Sequence, residues 1–186
     1  MSQLRELFHI RPAEPADAAA IRTVYSESWI KTHADPERGL SAPVLRYYVE
    51  GPNYQKARRR ISEIRRRIQD HRDHPERGQD YVAILDNSIV GYTSPRITKD
   101  GTRRVGALYV LPGLQGLGVG RRLLEANLAW HGPDSRVCLN VASNNRRART
   151  FYEHHGFAPT GRMKRARIHG VALPQLEMAW QGIVTA

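Results

Sequence analysis

The sequence has few of the features that mark secreted, membrane-spanning and metal-clustering proteins. It contains one cysteine, Cys138, which excludes an intramolecular disulfide and a thiolate metal cluster. Its apolar neighbours favour a small buried side chain on a strand over a nucleophile. Nowhere do ~18 uncharged apolar residues occur together, and the first ten residues lack a signal-peptide core. We therefore expect a soluble, cytoplasmic protein.

Acidic residues are outnumbered, with 18 Asp and Glu against 29 Lys and Arg and a net charge of +11. Such an excess favours polyanionic partners: nucleic acid, an acidic protein surface, anionic lipid or a phosphate-rich cofactor. Charge alone does not choose among them. The length of 186 residues predicts a single domain spanning residues 1–186.

Apolar periodicity predicts a mixed α/β protein without internal repeats. A short strand at 8–11 precedes a helix that begins near Pro15 and ends before Asp35-Pro36. An antiparallel meander follows the next helices, and strands and helices then alternate up to a final hairpin. The remaining predicted helices cover 44–49, 54–71, 121–130 and 146–155, and the remaining strands cover 81–85, 89–97, 102–110, 136–141 and 175–180.

The helix at 54–71 carries the densest charge. Tyr54, Ala57, Ile61, Ile64 and Ile68 form its apolar stripe, which leaves the arginines at 58–60 and 65–67 on other faces. A solvated face or a subunit contact, as in a homodimer, is one interpretation. Capture of an acidic acceptor or of nucleic acid is the other.

A glycine-rich turn joins a predicted strand to a helix. Gln115-Gly116-Leu117-Gly118-Val119-Gly120 follows the strand that ends at Val110 and precedes Arg121. Bare backbone and the free N–H groups of a new helix suit a pyrophosphate. The spacing is not that of a Walker loop, and the turn stands too late in the chain for a dinucleotide fold.

A second segment, residues 140–157, has a strand end, a cap-rich corner, a helix and a Gly-Phe exit. With it the sequence closely resembles the GNAT superfamily of acyl-CoA-dependent N-acetyltransferases over residues 8–181. The family pattern Arg/Gln-x-x-Gly-x-Gly/Ala is matched by Gln115, Gly118 and Gly120. A later pattern, Asn-x-x-Ala-x-x-Phe/Leu-Tyr-x-x-x-Gly-Phe, is matched by Asn145, Ala148, Phe151, Tyr152, Gly156 and Phe157.

This resemblance implies a mixed, mostly antiparallel central sheet, splayed between its fourth and fifth strands and flanked by helices on both faces. It implies acetyl-CoA as co-substrate. The pantetheine arm would lie along the backbone of Leu108, Tyr109 and Val110. The pyrophosphate would lie on Gly116, Leu117, Gly118, Val119, Gly120 and Arg121 after Gln115, Asn145 would bind the pantetheine amide, and Tyr152 would lie beside the thioester sulfur.

The expected chemistry is attack of an amine on a thioester, with a thiolate leaving. Backbone N–H groups near Val110 can hold the carbonyl oxygen, and the Tyr152 phenol can protonate the sulfur as general acid. With reference pKa values of about 10 for tyrosine and about 8.5 for a thiol, a modest shift would match the pair. Packing against the sheet is the alternative role of Tyr152.

The general base and the acceptor stay open at this point. Some family members carry a glutamate where this chain has Asn140, and others on the strand at 102–110, which here has no carboxylate. The candidate bases are therefore Glu27, His33, Asp35, Glu177 and a bound water. Trp29, His33, Tyr47 and Tyr48 are expected at an acceptor cleft between the early helices and the final hairpin. The acceptor is a small-molecule or protein amine.

Two other interpretations remain. His71 and His74, beside Asp70 and Asp73, straddle a helix end followed by Pro75, so we expect no metal site. A non-catalytic acyl-CoA-binding or nucleic-acid-binding module on the same fold is the alternative function. Such a module would not need a phenol at the sulfur. An acyl chain longer than acetyl is also compatible with the sequence.

Overall fold

The computed structural model describes residues 8–50, 54–168 and 171–182. In these ranges seven strands form one sheet in the order β1-β2-β3-β4-β5-β7-β6. The strands are β1 Phe8–Pro12, β2 Tyr81–Leu85, β3 Ser88–Ile97, β4 Arg103–Val110, β5 Val137–Ala142, β6 Ala158–Ile168 and β7 Val171–Trp180. The helices are α1 Ala18–His33, α2 Ala42–Glu50, α3 Tyr54–Asp73, α4 Val119–His131 and α5 Arg146–His154.

Neighbouring strands of the sheet are antiparallel, with the exception of β4 and β5, which are parallel. This confirms the predicted fold class. The meander of β2, β3 and β4 turns at Asp86 and Asn87, both with positive φ, as the Asp-Asn pair predicts. The predicted helices and strands end within a few residues of the observed ones, because their apolar periods are local.

Helices cover both faces of the sheet. On one face Ile21 and Val24 of α1 and Ile68 of α3 pack on Val82 and Tyr92. On the other face α4 packs through Val119 and Leu123 on Ala83, Val90 and Val110, and α5 packs on β5 and β7 through Tyr152. Because the sheet is covered on both sides, a ligand reaches its middle only where strands separate.

A buried ion cluster attaches the end of α3 to the start of β2. Asp80, with 0% of its side chain exposed, accepts hydrogen bonds from Arg67 and from His71 Nδ1, each at 2.7 Å. Burial opposes the charged carboxylate, but these hydrogen bonds outweigh it and hold the pKa of Asp80 below its ordinary value. Arg67 and His71 are therefore structural, which removes His71 from the candidate metal pair.

Candidate active site

The sheet opens between β4 and β5. The two strands pair only at Arg103↔Val137 and Arg104↔Cys138. Beyond that point β4 stays paired with β3 up to Val110, and β5 stays paired with β7 up to Ala142. The facing edges therefore diverge into a gap, as the splayed-sheet prediction requires. Cys138 lies at the closed end and is 1% exposed.

Alternation along β4 decides which backbone groups face the gap. Leu111 N–H donates to Val90 O at 2.9 Å, so Leu111 and, two residues earlier, Tyr109 belong to the ladder with β3. The backbone groups of Leu108 and Val110 then point into the gap. Val110 O already accepts from Ser28 Oγ at 2.9 Å and from Gln115 Nε2 at 3.2 Å. The Val110 N–H and both Leu108 groups remain for a ligand.

The glycine loop lies at the end of β4 and starts α4. Gly116 and Gly118 adopt φ of 95° and 89°, a region that side chains disfavour. Gly118 is the N-cap residue and offers no side-chain cap, so the first N–H groups of α4 are available to an anion. Leu117 is 46% exposed at the rim, whereas Val119 is 2% exposed beneath the loop.

Arginines from two helices border this loop. Arg121 donates to Glu125 at 2.7 Å, and Arg122 lies 3.8 Å from the same carboxylate, so part of the charge expected from Arg121 is neutralised. Arg147 of α5, which the sequence reading did not single out, also reaches the loop. Its Nη2 is 3.7 Å from the position that a Cβ on Gly116 would take.

Asn145 and Tyr152 lie at the two ends of one short helix. The Asn145 Oδ1 accepts from Ala148 N at 3.0 Å and caps α5, which leaves only its amide NH₂ for a ligand. Tyr152 is 8% exposed and packs edge-on against Phe151 and Phe157.

The pKa of Tyr152 differs from the expected match to a thiol. Apolar surroundings disfavour the phenolate, and burial raises the pKa of Tyr152 well above its usual value. The shift is therefore large and leads away from a thiol's pKa. As a consequence the phenol keeps its proton across the physiological pH range and can serve as a hydrogen-bond donor.

A cavity of about 270 Å³ lies on the opposite face, under the early helices. Residues of α1, α2, α3, β5 and β7 line it, namely Tyr25, Trp29, His33, Tyr48, Val49, Arg60, Ala142, Leu173 and Gln175. Ala142 is the last residue of β5, and the Tyr25 ring packs edge-on at 5.2 Å on Tyr109 of β4. The cavity therefore borders the end of β5 directly, and one of its lining residues packs on β4.

Three of the four residues expected at the acceptor cleft, Trp29, His33 and Tyr48, line this cavity. Trp29 stacks on Tyr48 at 6.1 Å and contacts the His33 ring edge-on at 4.6 Å. Tyr47 is instead 62% exposed and does not line the cavity. Neighbouring helix positions point about 100° apart, so only one of the two adjacent tyrosines can face α1. Arg60 belongs to the arginines for which capture of an acidic acceptor was one interpretation, whereas Gln175 was not anticipated, since no local motif marks it.

The candidate bases differ in their partners. Glu27 holds Arg46 with both oxygens at 2.8 and 3.2 Å. Asp35 caps the turn at Arg38, and Glu177 contacts Arg104 at 3.5 Å and Thr160 at 3.1 Å. His33 lines the cavity, and its buried Nδ1 has no hydrogen-bond partner among the described residues. Burial lowers the pKa of His33 below its ordinary value, which keeps the imidazole neutral at physiological pH.

The described ranges contain no group of three or more potential metal ligands in a suitable arrangement. Among the same residues, no helix is long and apolar enough to cross a bilayer.

Comparison with known proteins points to one family. The acetyltransferase (GNAT) domain family matches residues 76–159, which include the glycine loop, Asn145 and Tyr152. No curated protein sequence matches the chain.

Solved structures of several acetyltransferases share the fold. The GNAT-family acetyltransferase of Streptococcus pneumoniae is 21% identical with a TM-score of 0.68, covering 92% of this chain and 98% of that one. The paiA N-acetyltransferase of Thermoplasma acidophilum, solved with coenzyme A, is 19% identical with a TM-score of 0.64, covering 94% of this chain and 98% of that one. The putative acetyltransferase yncA of Salmonella typhimurium, solved with acetyl-CoA, is 19% identical with a TM-score of 0.69, covering 97% of this chain and 98% of that one. At these identities the likeness shows the fold.

Proposed function

From the match of residues 76–159 to the acetyltransferase (GNAT) domain family, we propose that this chain acetylates a primary amine held in the aromatic cavity, with Tyr152 as general acid. It is an acyl-CoA-dependent N-acetyltransferase, and acetyl-CoA is its co-substrate. One observation carries the proposal: Ala142 at the end of β5 lines the cavity on one face, and Tyr152 packs on β5 from the other face, so both lie beside the strand that borders the gap.

The residues around the gap fit an acyl-CoA. The gap-facing backbone of Leu108 and Val110 offers an unpaired strand edge to an amide-containing arm. At Gly118 nothing lies within 4 Å of an added Cβ, so the uncapped start of α4 is open to a pyrophosphate, with Arg121 and Arg147 nearby. The Asn145 amide NH₂ is left to bind a carbonyl of the arm.

Acetyl-CoA supplies a thioester, whose carbonyl carbon accepts the amine nitrogen and whose sulfur departs as a thiolate. The Val110 N–H donates to the carbonyl oxygen as negative charge grows there. His33 takes the proton that the amine loses when the carbon–nitrogen bond forms, because it is the one candidate base on the cavity without an ion-pair partner among the described residues. Tyr152 donates a hydrogen bond to the sulfur and shares its proton with it as negative charge grows there and the carbon–sulfur bond breaks.

Mass spectrometry after incubation with acetyl-CoA and a panel of amines tests the reaction. Tyr152→Phe should then lower kcat by about 100-fold or less, because general acid catalysis supplies roughly 10²–10⁴-fold and water replaces the phenol in part. Calorimetry should show nearly unchanged affinity for acetyl-CoA. The exposed Tyr47→Phe is the matched control. Turnover that is unaffected in Tyr152→Phe, with chemistry rate-limiting, would remove the general-acid role.

A further inference from the structure

The acceptor cavity is unevenly charged. Its walls are aromatic or aliphatic on the α1, α2 and β7 sides, where Trp29, Tyr48 and Leu173 lie. None of the described lining residues is a carboxylate, and Arg60 on α3 is the lining residue with a permanent charge. A carboxylate in such a cavity would attract the ammonium form of an amine. This one presents a guanidinium instead.

Arg60 is held at the cavity by backbone and not by an ion pair. Its Nη1 donates to Val49 O at 3.2 Å, which leaves further N–H donors of the guanidinium for a ligand. The nearest acidic side chain on α2, Glu50, pairs with Arg46 at 2.8 Å. No ion pair joins Arg60 to a carboxylate of the described chain, so its charge is open to a bound anion.

A second guanidinium strengthens the positive potential behind Arg60. Arg22 of α1 is 7% exposed and also donates to Val49 O. Because Arg22 and Arg60 donate to the same carbonyl oxygen, the two guanidinium groups lie close together. Burial and the charge of Arg60 lower the pKa of Arg22. Two clustered cations attract a carboxylate and repel a ligand with several ammonium groups.

We propose, building on the acetyltransferase function above, that the acceptor is a small primary amine of the amino-acid class, with its carboxylate on Arg60 and its apolar side chain against Trp29 and Tyr48. A volume of about 270 Å³ accommodates a molecule of this size. The amine then lies on the side of His33 and the gap. The cavity charge disfavours polyamines.

The arginines of α3 differ in whether their side chains reach the cavity. Arg59 is one residue away, yet its side chain is 81% exposed and pairs with Glu63 at 3.0 Å. Arg67 belongs to the buried Asp80 cluster. Arg60 alone of these three lines the cavity, so a substitution at 59 provides a control of identical chemistry on the same helix.

Paired substrates isolate the carboxylate. Phenylalanine, tryptophan, leucine and methionine are each compared with their carboxamides, in which only the anionic charge is lost, and with spermidine. The carboxamide has the less basic amine, so any bias from free-amine concentration acts against the proposal. We expect kcat/KM to favour the acid by about tenfold or more for the accepted side chain, as a charge-assisted pair in a half-buried site supplies.

Variants then assign the preference to one residue. Arg60→Gln should remove the preference for the acid, Arg60→Lys should retain part of it, and Arg59→Gln should leave it intact. Circular dichroism and acetyl-CoA affinity show whether each variant is folded. This inference would be overturned if the carboxamide or spermidine were acetylated as well as the amino acid or better. It would also be overturned if folded Arg60→Gln kept the preference for the acid. Either result would leave the acetyltransferase function standing. Failure to acetylate any amine while acetyl-CoA binds would overturn both.

Discussion

At the scale of single residues, His33 stands out because of what surrounds its ring. It is the last residue of α1, and the Trp29 ring 4.6 Å away holds the imidazole against the cavity wall. Tyr25, Tyr48 and Arg60 face the same cavity from α1, α2 and α3. No carboxylate among the described lining residues stabilises the imidazolium. Burial therefore lowers the pKa of His33, and the neutral, proton-accepting form persists below about pH 6.5.

The pH dependence of the rate tests His33 as the base. Below the pKa of the acceptor amine, log kcat/KM should rise with unit slope, because only the free amine attacks. Protonation of His33 adds a second unit slope as pH falls through its pKa, somewhere below about pH 6.5. His33→Gln should lower kcat and leave the single slope of the amine. The control variant His9→Gln, at an exposed histidine, should keep the steeper acid limb. If His33→Gln also kept the steeper limb, the second slope would belong to a group other than His33.

At the scale of elements, the glycine loop and the start of α4 form one unit. Gly116 and Gly118 need their positive φ for the turn, but Gly120 lies inside the helix with an ordinary φ. A Cβ there would meet Phe151 and Val110 at 3.7 Å, ordinary contact distances. Substitution at 120 therefore probes ligand binding without backbone strain, which substitution at 118 does not.

Gly120→Glu should weaken acetyl-CoA binding by about tenfold or more, because it sets a carboxylate among the N–H groups that face the pyrophosphate. Gly113→Glu adds the same charge at a neighbouring position with nothing within 4 Å, and its affinity should stay near that of the wild type. Calorimetry on both folded variants measures the difference. Wild-type affinity in Gly120→Glu would contradict the proposed phosphate site.

At the scale of the whole molecule, the gap depends on where the sheet stays closed. His131, the last residue of α4, contacts Arg104 O through Nε2 at 3.2 Å, next to the Arg104↔Cys138 pair that joins β4 to β5. It is 4% exposed, and burial lowers its pKa to about 4. The fold therefore requires the neutral imidazole at the closed end of the sheet.

This burial makes the stability of the whole chain depend on pH. In the unfolded chain the histidine binds its proton near pH 6.5, so the unfolded state takes up more protons than the folded state as pH falls. The free energy of unfolding should drop between about pH 6.5 and about pH 4, by up to about 3 kcal/mol for this residue. Urea denaturation across that range should show a flatter dependence in His131→Gln. An equal dependence of the free energy of unfolding on pH in the wild type and in His131→Gln would contradict this role of His131.

The sequence alone predicted most of the elements and the resemblance to the GNAT family. The glycine loop, the Asn145–Phe157 segment and the alternating strands are local patterns, since a turn, a cap or an apolar period depends on residues close together in the chain. They placed Gly118 and Gly120 at the start of α4 and Tyr152 on α5, where the structure has them. The roles of these residues stay predictions, as does the single domain over 1–186.

Only the tertiary structure decided which side chains share the acceptor cavity. The sequence does not distinguish Tyr47 from Tyr48, or Arg59 from Arg60, because one step along a helix turns a side chain by about 100° and the packing of α1, α2 and α3 sets which one faces inward. The candidate bases separate for the same reason: the arginines that engage Glu27 and Glu177 lie 19 and 73 residues away in the chain. Burial, which lowers the pKa of His33 and raises that of Tyr152, likewise exists only once distant elements pack together.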